Sequence, residues 1–184
     1  LHFPAVTLVG VLSSDGALNI PDFRSSENIF QLLTQVSGRS GRGDIKGEVI
    51  IQTCMQDNPI LSLASREDYL GFFNQEIDIR KTFEFPPFMR LAKITFSGTY
   101  ENQTEEFGNR MRKMLLEKLP SSFTVYPLVP CGYAKIKDKY RFKLLIKGKN
   151  PYLFSRIIEE IKEKIAFPRY IRLLIDIDPT STFS

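Results

Sequence analysis

The 184-residue chain contains one histidine, His2, two cysteines, Cys54 and Cys131, and no CxxC pair. Those counts exclude a protein zinc site or a disulfide scaffold within the chain. Two isolated thiols fit a reducing compartment, with the cytosol as the default. Glycine and proline, 11 of each, are too few for a low-complexity or collagen-like chain. No apolar run approaches the ~18 residues a membrane span needs. Residues 1–20 are apolar overall, but they lack a basic start and are broken by Ser13, Ser14 and Asp15, so they do not read as a signal peptide. The chain starts on Leu1 with an apolar segment at once, as expected of something cut from a longer protein.

What is present is an ordinary globular composition, 42% apolar and 25% charged, long enough for one large or two small domains. The net charge of +4 is unevenly placed. Residues 1–66 carry five Lys/Arg against six Asp/Glu, whereas residues 67–184 carry twenty against fifteen. Tyr133 to Lys149 alone holds seven basic residues and one acid. A concentrated patch of one sign says more about partners than the total does.

The apolar patterning predicts two pieces. Thr7 to Leu12 reads as a buried strand of a parallel sheet. Ser26 opens a helix with Ile29, Leu32, Leu33 and Val36 on one face, ended by Gly38, and Glu48 to Thr53 reads as a second strand. Strand, helix, strand implies an α/β layer too small to be complete. Asn58-Pro59 opens a short helix. Ser65 with Asp68 resembles a capping box for a helix over 66–81 whose buried stripe is Tyr69, Phe72, Phe73 and Ile77. Pro86-Pro87 marks a boundary. Beyond it the order is a strand at 90–97, a helix at 101–119, an irregular strand at 123–129, strand or hairpin at 134–146, a helix from Asn150-Pro151, and a strand at 170–178. That order, βαββαβ, is the split βαβ of ferredoxin-like folds. The expected division is 1–66, a connector and Pro-Pro hinge at 67–88, and 89–184.

Two constellations carry chemistry. Gln35-Val-Ser-Gly38-Arg39-Ser-Gly41-Arg42 places two arginines and a glutamine at a helix end, with glycines that let the backbone turn tightly. Guanidinium groups so placed can meet the equatorial oxygens of a γ-phosphate, a contribution of roughly 10³–10⁵ in rate when supplied to phosphoryl transfer. The same residues also fit a helix terminator followed by solvated arginines. In the second, Lys135, Lys137, Lys139, Arg141, Lys143, Lys147 and Lys149 fall on odd positions, while Ile136, Tyr140, Phe142, Leu144 and Ile146 fall on even ones. Period two puts charge on one sheet face and apolar residues on the other, provided any hairpin turn near Asp138 has an odd-length loop. A basic face with Tyr133 and Tyr140 nearby suits phosphate tracking, and it also suits a plain solvated face or an acidic protein partner. Asp176 and Asp178 share a strand, but with no third ligand nearby they read as polar strand ends, and no metal site is expected. His2 has no placeable Ser or Cys partner, so no hydrolytic triad is expected.

His2-Phe-Pro-Ala-Val-Thr-Leu-Val9, Asp15-Gly-Ala-Leu18, Pro21-Asp-Phe-Arg-Ser-Ser-Glu27 and Phe30 through Arg42 together resemble the primosomal replication-restart helicases of superfamily 2. The resemblance runs on through Gly47 to Thr53, Phe85-Pro-Pro-Phe88, Lys139-Tyr-Arg-Phe142 and Asp176-Ile-Asp-Pro179. It implies that residues 1–66 are the end of the second RecA-like lobe, with His2-Phe-Pro the tail of motif V and Gln35 to Arg42 motif VI. Gln35, Arg39 and Arg42 would then sense the γ-phosphate, Arg42 as arginine finger, with Gly38, Gly41 and Asp15 in the nucleotide loops. Asp22, Arg24 and Glu27 would lie between the two motifs. The basic stretch Lys135, Lys137, Lys139, Tyr140, Arg141 and Lys143 would hold branched or single-stranded DNA. The resemblance further implies an ATP-dependent 3′→5′ DNA helicase that starts primosome assembly at stalled forks in the bacterial cytoplasm, at the nucleoid. Its partners would be single-stranded-DNA-binding protein and primosome proteins, with no membrane role. ATP and magnesium would bind mainly outside this chain, since it contains no GxxxxGK[ST]. Zinc would belong to the family's cysteine-rich module, also absent from this sequence. The 184 residues alone are therefore expected to be inactive on ATP.

Overall fold

Leu8, Val9 and Val11 are β-branched or aliphatic residues around a single glycine, and in the computed structural model they form strand β1 (Leu8–Val11), parallel to β2 (Glu48–Ile51). The structure describes residues 7–12, 14–37 and 48–183, and the chain divides into two units between Thr82 and Phe83.

In the first unit β1 is followed by the single-turn helix α1 (Asp15–Leu18) and by α2 (Ser25–Ser37). The i, i+3, i+4 spacing of α2 buries Ile29, Phe30 and Leu33, while Leu32 is half exposed. They pack with Ile60, Leu61 and Ala64 of α3 (Pro59–Ser65) and with Phe72 of α4 (Tyr69–Thr82), whose ring stacks on Phe30 at 4.2 Å. Asn58 caps α3 by accepting the Ile60 amide, with Pro59 in the first turn where no amide donor is needed. The cap of α4 is Asp68, whose carboxylate accepts the Gly71 amide at 2.9 Å, and Ser65 instead ends α3. The stripe α4 buries is also different from the sequence expectation. Phe72 and Glu76 are inside, while Tyr69 and Phe73 are exposed. Glu76 tolerates burial because Arg80 donates to it at 2.7 Å.

In the second unit β3 (Arg90–Gly98), β6 (Lys139–Gly148), β4 (Thr124–Val125) and β7 (Ile171–Ile177) form an antiparallel sheet in the order β4–β6–β3–β7, with β5 (Val129–Ile136) also on β6. Alternation along β3 sends Ala92, Ile94 and Phe96 to one face and Lys93, Thr95 and Ser97 to the other. The first face is covered by α5 (Glu101–Lys118) and α6 (Pro151–Lys164), which bring Phe107, Met111, Leu115, Phe154, Ile158 and Ile161 into a single core. Each such aliphatic or aromatic side chain, once fully buried, stabilises by about 1.5–3 kcal/mol. The result is a mixed α+β unit with one helical face and one helix-free face, and the helix-free face is the one that carries charge.

Candidate nucleic-acid interface

β5 and β6 are joined by a two-residue turn, Lys137-Asp138, with φ of 48° and 58°. Positive φ at both central residues is the backbone of a twist-matched hairpin turn, usually given to Asn-Gly. An even loop inverts the expected arrangement. Ile136 sits opposite Lys139 and Lys135 opposite Tyr140, so Lys135 leaves the face of Lys139 and Arg141 and joins Tyr140. Its ammonium lies 5.1 Å from the Tyr140 ring centroid and 3.4 Å from Asp138. Every residue from 132 to 139 is exposed, so the tip of the hairpin is open, while β6 is paired with β3 from Tyr140 onward. Among the described residues, no carboxylate lies within ion-pair distance of Lys137 or Lys139. Tyr133, 62% exposed, flanks the hairpin.

The root of the same strand is different. Lys143 is buried, and its ammonium donates to the Thr182 carbonyl at 2.6 Å and the Phe183 carbonyl at 3.0 Å. Lys147 is buried too and donates to the Phe83 carbonyl at 2.7 Å, beside the rings of Phe85 and Tyr126. One exposed stripe from 135 to 149 is thus replaced by an open tip and a covered root, because two distant segments, 83–85 and 181–183, fold back over β6. Arg141, half-buried, stands between the two zones opposite Ser97. Lys93 of β3 and Arg172 of β7 share this face and were not foreseen as part of the basic patch. The alternation of β3 contained the signal for Lys93, which is the odd-position cation of an otherwise inward-reading strand. Lys93 donates to the Ser181 carbonyl at 2.8 Å and lies 3.9 Å from Asp176, while Asp178 is hydrogen-bonded by Arg90, which holds its carboxyl below the usual range. Cys131 lies beneath this patch. Burial pushes its thiol up, against the opposing pull of Arg141, Lys143 and Lys93.

In the first unit, Gln35 is exposed two residues before the end of α2. Gly38, Arg39, Gly41 and Arg42, like His2, lie outside the described residues. Asp15 opens α1, and its carboxylate is taken by the Thr53 hydroxyl and by the Cys54 amide at 2.7 Å, which holds it below its ordinary pKa. It ties the segment after β1 to the segment after β2. Asp22 accepts the Arg24 amide, and Glu27 accepts from Arg24 at 3.1 Å and from Arg80 at 2.9 Å. Burial works to raise the Glu27 pKa, but the hydrogen bonds from the two arginines outweigh it and hold the carboxyl low. Arg80 comes from α4, so no local spacing announces this pairing. Among the described residues no three His, Cys, Asp or Glu side chains gather as metal ligands, and no helix is long and apolar enough to cross a membrane.

A family model described as the primosomal protein N C-terminal domain matches residues 81–180, which is the whole charged sheet and both its helices. The chain belongs to the PriA family. The replication restart protein PriA of Chlamydia pneumoniae is 41% identical over 183 residues, covering 100% of this chain and 24% of that protein. The proteins of the same name from Rickettsia conorii and Bacillus subtilis are each 37% identical, covering 99% and 97% of this chain and 28% and 23% of their own length. The chain therefore spans about a quarter of the length of the curated PriA relatives it matches. Among solved structures a de novo designed protein, Foldit4, is similar over 50% of this chain at 13% identity, with a TM-score of 0.35 that is too low to indicate a shared fold.

Proposed function

We propose that this chain is the end portion of an ATP-dependent 3′→5′ DNA helicase acting at stalled or branched forks, and that its β5–β6 hairpin is where it grips DNA. The observation that carries the reading is the hairpin itself. Lys135, Lys137 and Lys139 stand at the exposed tip of the β5–β6 hairpin, with Tyr133 and Tyr140 beside it, in a chain whose relatives are named for replication restart. Ammonium groups at the tip neutralise phosphates, and a phenol face accepts a stacked base whatever its identity. Arg141 extends this surface, whereas Lys143 is removed from it by its carbonyl partners.

The first unit fits the end of a second RecA-like lobe, a reading supported by the parallel β1–β2 pair with α2 between them in sequence. The second fits a ferredoxin-like domain, supported by its antiparallel strand order β4–β6–β3–β7 with two helices on one face. Gln35, Arg39 and Arg42 then reach nucleotide and magnesium bound outside this chain. Replication restart in a bacterial cytoplasm, with single-stranded-DNA-binding protein and primosome proteins as partners, follows from that assignment.

Fluorescence anisotropy of a labelled forked DNA tests the reading. The 184-residue chain should bind, and K135A/K137A/K139A should weaken binding at least tenfold while its circular dichroism is unchanged. Equal affinity of the two proteins would remove the hairpin from the DNA site. Absence of binding at low salt would turn the domain into a protein-docking module.

A further inference from the structure

The helix-free face of the second sheet carries Lys139, Arg141, Lys143 and Lys147 on β6, Lys93 on β3 and Arg172 on β7, against the single carboxylate Asp176 within these paired strands. Lys139, Arg141 and Lys143, at every second residue of β6, stand about 7 Å apart in line with the open hairpin, and Lys147 follows beyond Leu145. The middle of this row is covered by residues 181–183. Lys93 and Lys143 donate to three successive main-chain carbonyls of that segment, at 2.8, 2.6 and 3.0 Å. The Gly132 amide donates to the Phe183 carbonyl at 2.9 Å, and the Phe183 ring lies so close over Gly132 that a Cβ there would come within 2.2 Å of it. The same ring meets Tyr133 edge to face at 5.9 Å.

We propose that residues 181–183 mask a second stretch of the DNA path, and that the phosphate backbone of single-stranded DNA displaces them. The contacts of the segment with Lys93, Lys143 and Tyr133 are ones a nucleic acid can replace. A phosphate oxygen carries charge of its own, so an ammonium that donates to it gains an ion pair as well as a hydrogen bond, which a neutral carbonyl does not offer. A base can occupy the place of the Phe183 ring against Tyr133. The segment belongs to no helix or strand, the kind of element whose opening lies at the low end of local stability. Buried lysines on a sheet face also add little to stability compared with apolar side chains of the same volume, so their placement under a liftable segment is better accounted for by an anionic occupant. Displacement joins Lys93, Arg141 and Lys143 to Lys139 and Lys137 as one cationic track.

This inference rests on the hairpin reading for its ligand, and the experiment separates the two. The probe is a labelled oligothymidylate long enough to span β6, titrated at several salt concentrations. It is applied to the 184-residue chain, to a form ending at Pro179, to F183A, and to K135A/K137A/K139A. Masking predicts that the shortened form and F183A bind roughly tenfold more tightly, with a salt slope steeper by about 1.4 for two further phosphates. It also predicts faster hydrogen exchange at the Gly132 amide of the 184-residue chain when DNA is added. F183A keeps the main chain in place and decides the matter if the shortened form is unfolded. Unchanged or weaker binding in F183A with an unchanged Gly132 amide overturns the masking. If K135A/K137A/K139A alone loses affinity, the hairpin reading stands and the masking falls. If F183A binds more tightly and the triple variant binds like the parent, the masking stands and the hairpin reading falls. An oligoglutamate of equal charge that outcompetes the DNA on F183A overturns nucleic acid as the occupant.

Discussion

At the scale of single residues, two lysines of one basic run have different work. Lys147 is buried and donates a charge-assisted hydrogen bond to the Phe83 carbonyl beside two aromatic rings, so K147A should destabilise the second unit by about 1.5–3 kcal/mol. Lys137 at the turn touches nothing of that kind, and K137A should stay within about 0.5 kcal/mol of the parent. Urea denaturation of both variants checks the contrast. Glu27 makes a second prediction. Its pKa is lowered in the folded state, so the stability it contributes is present above the unfolded carboxylate value of about 4.3 and is lost as pH falls through the lower folded value. Melting followed from pH 7 to pH 3 should show a shallower acid loss for E27Q than for the parent. Cys131, buried with a raised pKa, should react with a disulfide reagent at pH 7.5 only on unfolding, while exposed Cys54 reacts at once. Of these residues the sequence showed which were charged but not which were covered. Burial of Lys143 and Lys147 comes from segments about 40 and 64 residues away, and no period within β6 encodes them.

At the scale of elements, long amphipathic segments were legible. The stripes on α5 and α6 and the alternation in β7 are strong because each packs one face on a shared core, so the pattern and the burial have one cause. The shorter or two-sided elements were not. On α4 an ion pair, Glu76–Arg80, takes the inner position that an aromatic stripe suggested, since Arg80 also reaches Glu27 on α2. In the hairpin, one residue of loop parity decides which face Lys135 occupies, and the turn residues are not those whose chemistry declares a two-residue loop. Both Lys137 and Asp138 hold left-handed backbone, which a lysine adopts at a cost of roughly 1–2 kcal/mol and an aspartate, like asparagine, at less. Replacing them with Asn-Gly should therefore raise the stability of the second unit by about 1 kcal/mol or more in urea denaturation. It should also lower DNA affinity, because the Lys137 charge is lost.

At the scale of the molecule, composition placed the charge in the second half, and the fold places it on one sheet face, half open and half covered. The candidate nucleotide residues belong to the first unit and the candidate DNA residues to the second. On this account the two functions are divided between units, and a chain without the phosphate-binding lysine loop releases no phosphate from ATP, with or without DNA, in a continuous phosphate assay. The central claim is that the β5–β6 hairpin touches DNA. Photo-crosslinking with a bromodeoxyuridine-substituted fork, followed by mass spectrometry of the linked peptide, tests it most directly. The account predicts adducts on Tyr133 or Tyr140, within the exposed hairpin. Adducts confined to α5, α6 or the first unit, with none on residues 129–143, would contradict it.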